Sequence, residues 1–165
     1  MADVSNTFYE GQAFIGYGSQ LLVGDGASPE TFEAIADIES ITFGEMSTAV
    51  VTKTHLRSLD GHQEKLAALR DSGPFQLTGN WRPSHQSQSN AGGGSGAFAT
   101  GGLIALWRNR TERNMKIVLS DGTPGTELPF RGVVTKFQPG VIGVNEKVAF
   151  TAEITPLRDF SAALP

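Results

Sequence analysis

Between Lys147 and Thr155 the chain alternates with a period of two. Val148, Phe150, Ala152 and Ile154 are apolar, while Lys147, Thr151, Glu153 and Thr155 are polar. Extended backbone sends successive side chains to opposite faces, so this pattern dictates a strand with one face on a core and one in solvent. It also favours antiparallel pairing, because parallel strands are usually covered on both faces. The same period recurs in Phe75, Leu77, Gly79 and Trp81, with Gln76, Thr78 and Asn80 between them, and in Met115, Ile117 and Leu119. Further strands are expected at residues 19–23, 131–137 and the β-branched stretch 49–54, and residues 32–43 read as extended. Asp25-Gly26, Asp121-Gly122 and Pro139-Gly140 supply turns. The expected fold is mainly β: a β-sandwich of antiparallel sheets with one flanking α-helix.

The helix is expected over residues 61–71. Leu66 and Leu69 stand at helical spacing with Ala67 and Ala68 between them, Asp60 and Gln63 form a capping pair, and Gly73-Pro74 stops the run. Leu66 and Leu69 would then pack on the sandwich. A second stretch, Leu103 to Trp107 followed by Arg108 and Arg110, fits a short helix with cations at its C-terminal end. Between these lies a polar segment, Arg82 to Gly96, with Ala91 and Pro83 as its only apolar residues. Its composition predicts a long loop that does not pack a core and that orders only against a neighbour.

The chain of 165 residues suits one domain, with residues 1–15 as an N-terminal arm and 82–101 as a long Gly/Ser-rich loop. With no cysteine it has neither disulfides nor thiolate metal sites. A net charge of −4 argues against binding nucleic acid by counterion release. No apolar run approaches the ~20 residues of a membrane span, and the first residues lack the pattern of a secretory signal. The three histidines, His55, His62 and His85, show no metal-ligand spacing. Gly16-Tyr17-Gly18-Ser19 precedes a strand instead of joining a strand to a helix, which does not suit a dinucleotide site. Arg108, Arg110, Arg113 and Lys116 read as a solvated or subunit-facing cluster. The carboxylates are scattered, with no evident acid and base pair. No enzyme activity, cofactor or metal is expected.

The order of these segments carries a resemblance. Residues 16–26 (Gly-Tyr-Gly-Ser-Gln-Leu-Leu-Val-Gly-Asp-Gly) are followed by Phe32-Glu33-Ala34-Ile35-Ala36, a strand end at 52–56, and Ser58-Leu59-Asp60-Gly61. Then come residues 75–83 (Phe-Gln-Leu-Thr-Gly-Asn-Trp-Arg-Pro), 116–122 and 148–154. The series resembles the tail tube (major tail) proteins of long-tailed, non-contractile bacteriophages and is similar to the tubes of phage-derived gene transfer agents. The Gly-rich stretch around Gly92 departs from the shorter connection of that family. The resemblance implies a virion structural protein assembled in the host cytoplasm. Six copies would close a ring, and rings would stack into a tube around the tape measure protein, meeting the distal tail and tail terminator proteins. Double-stranded DNA would pass through without specific binding. Two other readings stay open: an inner tube or secretion-type ring of a contractile system, and a monomeric β-sandwich binding module. Weakly protected edges at 49–54 and 147–155 are expected to pair across subunits. Lys147, Glu153, Gln86 and Ser95 are the candidate inter-subunit residues.

Overall fold

The computed structural model describes residues 16–54 and 63–158. Within them the strands are β1 (Gln20–Gly24), β2 (Phe32–Ala34), β3 (Ile38–Thr42), β4 (Met46–Thr52), β5 (Lys65–Ser72), β6 (Phe75–Asn80), β7 (Glu112–Val118), β8 (Glu127–Pro139) and β9 (Ala149–Pro156). One helix, α1 (Leu103–Asn109), lies between β6 and β7. Seven strands form a single antiparallel sheet in the order β2-β1-β7-β8-β9-β6-β3, and β4 and β5 form a separate two-stranded ribbon.

The period-two segments do what their pattern demands. Phe75, Leu77 and Gly79 of β6 turn inward, as do Phe150, Ala152 and Ile154 of β9 and Met115 and Ile117 of β7. These side chains meet Leu21, Val23 and Phe130 in one core, with Phe98, Leu103 and Leu106 packed over them. Phe75 sits edge-on to Phe43 at 5.4 Å and to Phe130 at 4.9 Å, and Phe137 stacks on Phe150 at 5.5 Å. Gly79 is small because β3 crosses there. A Cβ would run into the Asp37 carbonyl and the Phe150 ring.

A β-bulge rescues the longest strand. Val134 pairs with Ile154, but the next pair is Lys136 with Glu153. The extra residue resets the alternation, so Phe137 turns to the core and Lys136 to the outside. A regular strand would have sent Lys136 inward after Phe130, Gly132 and Val134.

The helix expected at 61–71 is instead β5. Leu66 and Leu69 are 51% and 85% exposed and touch no core. Two leucines three apart fit a helix, but Val50 and Val51 pair with Ala67 and Leu66 across the ribbon. Strand pairing overrides a weak local preference. The flanking helix is the shorter stretch at 103–109, which ends at Arg110 in the left-handed conformation (φ 51°). It packs on β8, and Gly102 before it lies against the Ser87 and Gln88 backbone.

The ribbon prolongs the β3–β6 hairpin beyond the sheet. Thr42 pairs with Gln76 at the sheet's end, and Met46 with Ser72 at the ribbon's root. The neck between them is backbone on backbone. The Gly73 amide donates to the Glu45 carbonyl at 3.0 Å, and a Cβ on Gly44 would strike Gly73.

Phe150→Ala is expected to destabilise the subunit by ~3–5 kcal/mol, the cost of a large aromatic cavity. Leu69→Ala should stay within about 0.5 kcal/mol in the free subunit. Urea denaturation measures both, and a large loss at Leu69 would place that side chain in a core.

Candidate assembly surfaces

The polar segment 82–101 is pinned to its own chain. Gln88 is completely buried, and each of its groups is used. Its Oε1 accepts from the Arg82 amide at 2.7 Å, and its Nε2 donates to the carbonyls of Ala36 (2.8 Å) and Asn80 (3.1 Å). Ser87 is equally buried, and its Oγ accepts from the Ala36 amide at 3.1 Å and shares a hydrogen bond with His85 Nδ1 at 2.9 Å. Ala97 and Phe98 finish the segment in the core. This corrects the expectation of a loop that needs a neighbour for its contacts. Composition misled because a buried amide replaces apolar packing: Gln88 satisfies one backbone donor and two backbone acceptors that would otherwise be orphaned.

The four expected interface residues do not converge. The Gln86 Oε1 accepts from the Ser95 amide at 3.3 Å, so these two bind each other. Lys147 pairs with Glu39 of the same chain. Glu153 binds Lys136 Nζ at 2.9 Å and accepts from Thr135 Oγ1 at 3.1 Å. The segment 147–155 is also no edge, since β9 lies between β8 and β6. The basic cluster disperses too. Arg108 bonds to Asn90 at 3.2 Å, Arg113 to the Asp25 carbonyl at 2.8 Å, and Lys116 to Glu127 at 2.9 Å. His55, His62 and the arm 1–15 lie outside the described residues. Among the described residues no group of three or more His, Asp or Glu is placed to hold a metal.

Two surfaces remain with unmet demands. Every residue of β4 is exposed, and so is all of β5 except its last residue. Met46, Val50, Val51, Leu66 and Leu69 are each more than half exposed there. The loop between β8 and β9 carries Val141, Ile142 and Val144, exposed by 73%, 77% and 102%. The sequence points to half of the first, a strand with a weakly protected edge at 49–54, but its partner reads as a core-packed helix over 61–71. The second reads as a plain turn, although Val-Ile-Gly-Val after Pro139-Gly140 is unusually apolar for one.

The outward face of the sheet is different in kind. Ser40 and Thr78 share a hydrogen bond of 2.6 Å, and Thr135 and Thr155 one of 3.3 Å. Gln76, Gln138, Thr151 and the Lys136–Glu153 pair line a shallow groove of 180 Å³. Hydroxyls and amides dominate, and the charges cancel locally. The Lys136 ammonium beside Glu153, with burial opposing it and Thr135 assisting, holds that carboxyl below its usual range. Asp121 is lowered by the Thr126 hydroxyl and amide, and Asp25 by the Thr31 hydroxyl and the Ala27 amide.

No protein-family model and no curated protein matches the sequence. Solved structures do match. A chain from the virion of a native gene transfer agent particle aligns at a TM-score of 0.61 and 13% identity, covering 88% of this chain and 95% of the other. A chain from the tail of an empty gene transfer agent particle with C6 symmetry gives 0.59 and 13%, covering 88% and 96%. A chain from the extended sheath–tube complex of an extracellular contractile injection system, PVC, gives 0.57 and 15%, covering 96% of each.

Gln88→Leu keeps the approximate volume but strands the three backbone groups. It is expected to cost at least ~1–3 kcal/mol in a thermal or urea melt. Acid should also weaken the fold. The lowered carboxyls favour the native state above the ordinary carboxylate range near 4, and that contribution disappears as pH falls through their native values. Urea midpoints between pH 7 and pH 2 are therefore expected to fall on the acid side. The fall should be shallower in Glu153→Gln and Asp121→Asn. At these identities the likeness is one of fold: the chain has a tail tube-like fold, mainly antiparallel β with one flanking helix, shared with chains of gene transfer agent tails and injection-system tubes.

Proposed function

We propose that this chain is a structural subunit of a virion tail tube, building stacked rings of six copies each. The observation that carries this reading is the β4–β5 ribbon. A two-stranded ribbon is marginal by itself in water. This one leaves the sheet, exposes apolar side chains and, among the described residues, pairs with no third strand. A neighbouring copy would give it the third strand or the apolar cover that it lacks. The likeness of fold to chains of gene transfer agent tails agrees, one of them from a tail with C6 symmetry.

In this reading the whole chain, 1–165, is one tube domain, and residues 1–15 are an arm. The outward face of β3, β6, β9 and β8 lines the lumen. Its hydroxyls, amides and internally paired Lys136 give a passing DNA phosphate no fixed cation to hold. The tape measure protein would occupy that lumen before DNA, and distal tail and terminator proteins would close the ends. The subunit's role is structural, not catalytic. A second reading, the inner tube of a contractile system, is favoured by the likeness to the sheath–tube chain. Co-assembly with a sheath protein separates the two.

Purified subunit is expected to form hollow filaments of constant diameter, seen by negative-stain electron microscopy and by light scattering that rises with concentration. Val51→Asp with Leu66→Lys should abolish filaments and leave the subunit's melt within about 1 kcal/mol of the parent, because both residues are surface-exposed and the opposite charges face each other across the ribbon. A subunit that stays monomeric at all concentrations would refute the tube reading.

A further inference from the structure

We infer that Glu112, Glu127 and Glu153 are fixed counter-ions that keep the outward sheet face from holding double-stranded DNA, and that their removal uncovers a row of cations which binds it. The inference rests on the tube reading and names the residues that make its lumen non-adhesive.

Strand alternation turns Glu112 and Lys116 of β7 away from the buried Met115 and Ile117, and Glu127 and Arg131 of β8 away from the buried Phe130. Past the bulge, Lys136 and Glu153 pair across β8 and β9 on that same outward face. Among the described residues, Lys116, Arg131 and Lys136 are the cations that the seven strands carry there. The one other strand cation, Arg113, lies on the alternate positions and donates to the Asp25 carbonyl. Each of the three is taken by a carboxylate of an adjacent strand: Lys136 by Glu153 at 2.9 Å, Arg131 by Glu112 at 3.1 Å and Lys116 by Glu127 at 2.9 Å. One member of every pair stands on β8, and Glu127 to Lys136 covers about 30 Å of that strand at ~3.3 Å per residue. The three cations therefore form a band that follows β8.

A carboxylate oxygen at these distances uses the same N–H donors that a phosphate oxygen would use. A phosphate must displace it or settle beside it against like charge. Binding also gains from release of the DNA's condensed counter-ions only where the protein brings net positive charge to the phosphates, and a closed pair brings none. Lys136 shows the arrangement most plainly. Its side chain is 73% exposed, while that of Glu153 is 16% exposed and is also held by Thr135 Oγ1 at 3.1 Å. The cation faces solvent, and its counter-ion is anchored in the sheet. The chain's net charge of −4 is no substitute, because its repulsion is screened over about 8–10 Å at physiological salt, whereas the pairs act at contact.

The test is fluorescence anisotropy of a short, dye-labelled DNA duplex titrated with full-length subunit below its filament-forming concentration, at salt from about 50 to 200 mM. One variant carries Glu112→Gln, Glu127→Gln and Glu153→Gln. A control carries Glu45→Gln, Asp71→Asn and Glu146→Gln, which raise the net charge equally from exposed positions at the ribbon and the β8–β9 loop. The expected result is binding by the first variant, with log affinity falling against log salt at a slope of about −2.7, roughly 40-fold over that range. The parent and the control are expected not to bind. Equal binding by both variants would make net charge sufficient and overturn the counter-ion role, and so would no binding by the first. Should loss of Glu153 unfold the subunit in a thermal melt, Glu112→Gln with Glu127→Gln, at half-exposed positions, carries the same test with a slope of about −1.8. Parent filaments seen by electron microscopy, with no DNA binding by the first variant, overturn the counter-ion role and leave the tube reading standing. A parent that forms no filaments overturns the tube reading, and this inference falls with it.

Discussion

Strand β9 is the constraint on which the fold depends. It is hydrogen-bonded to β8 on one side and β6 on the other, and its inward residues, Phe150, Ala152 and Ile154, are all but completely buried. A shift of one residue would put Thr151 and Glu153 into that core, so the register is fixed by burial on one face alone. The bulge in β8 is a consequence. Thirteen residues of strand could not keep both Val134 and Phe137 inside without one extra residue between them. Gly79 follows from the same packing, since the Phe150 ring occupies the space where a side chain would stand.

The sheet was legible in the sequence because its chemistry is local. Alternation in 75–81, 115–119 and 148–155 reports burial residue by residue, and the turns at Asp121-Gly122 and Pro139-Gly140 follow from backbone preference. Only half of the ribbon was legible, since the β-branched stretch 49–54 reads as a strand and its partner does not. Lys65–Ser72 carries leucines and alanines that suit a helix, and what makes it a strand is its pairing with β4, from Thr52–Lys65 to Met46–Ser72, 13 to 26 residues apart in the chain. Gln88 was hidden for a related reason. An amide among serines signals solvent until the carbonyls of Ala36 and Asn80, from two other segments, are brought to it. Lys147 and Glu153, expected from sequence at an interface, pair within the chain with Glu39 and Lys136, partners that charge at a strand position does not reveal.

The distribution of polarity divides the molecule's surfaces by role. Ion pairs are satisfied within the chain: Lys53–Glu64, Arg82–Asp37, Lys116–Glu127, Arg131–Glu112 and Lys136–Glu153. Such exposed pairs contribute little stability each. Their larger effect is to leave the outer sheet face without uncompensated charge. Most of the exposed large apolar groups stand instead on the ribbon and the β8–β9 tip, with Tyr17, Phe43, Trp107 and Leu157 elsewhere. Association through these surfaces would be governed by hydrophobic burial, with a negative heat-capacity change and little sensitivity to salt.

The glycine neck has a mechanical consequence. At Gly44 and Gly73 the two strands touch through backbone, with no side chains between them to rearrange. The ribbon's direction is therefore inherited from the twist of β3 against β6 and not from rotamers at its root. Its seven-residue strand is a lever of about 23 Å at ~3.3 Å per residue. A change of ~10° in that twist would swing the tip by roughly 4 Å, close to the ~4.8 Å spacing of neighbouring strands. The curvature of the sheet and the reach of the ribbon are thus geared together, so that a small adjustment at the neck is enlarged to nearly a full strand position at the ribbon's far end.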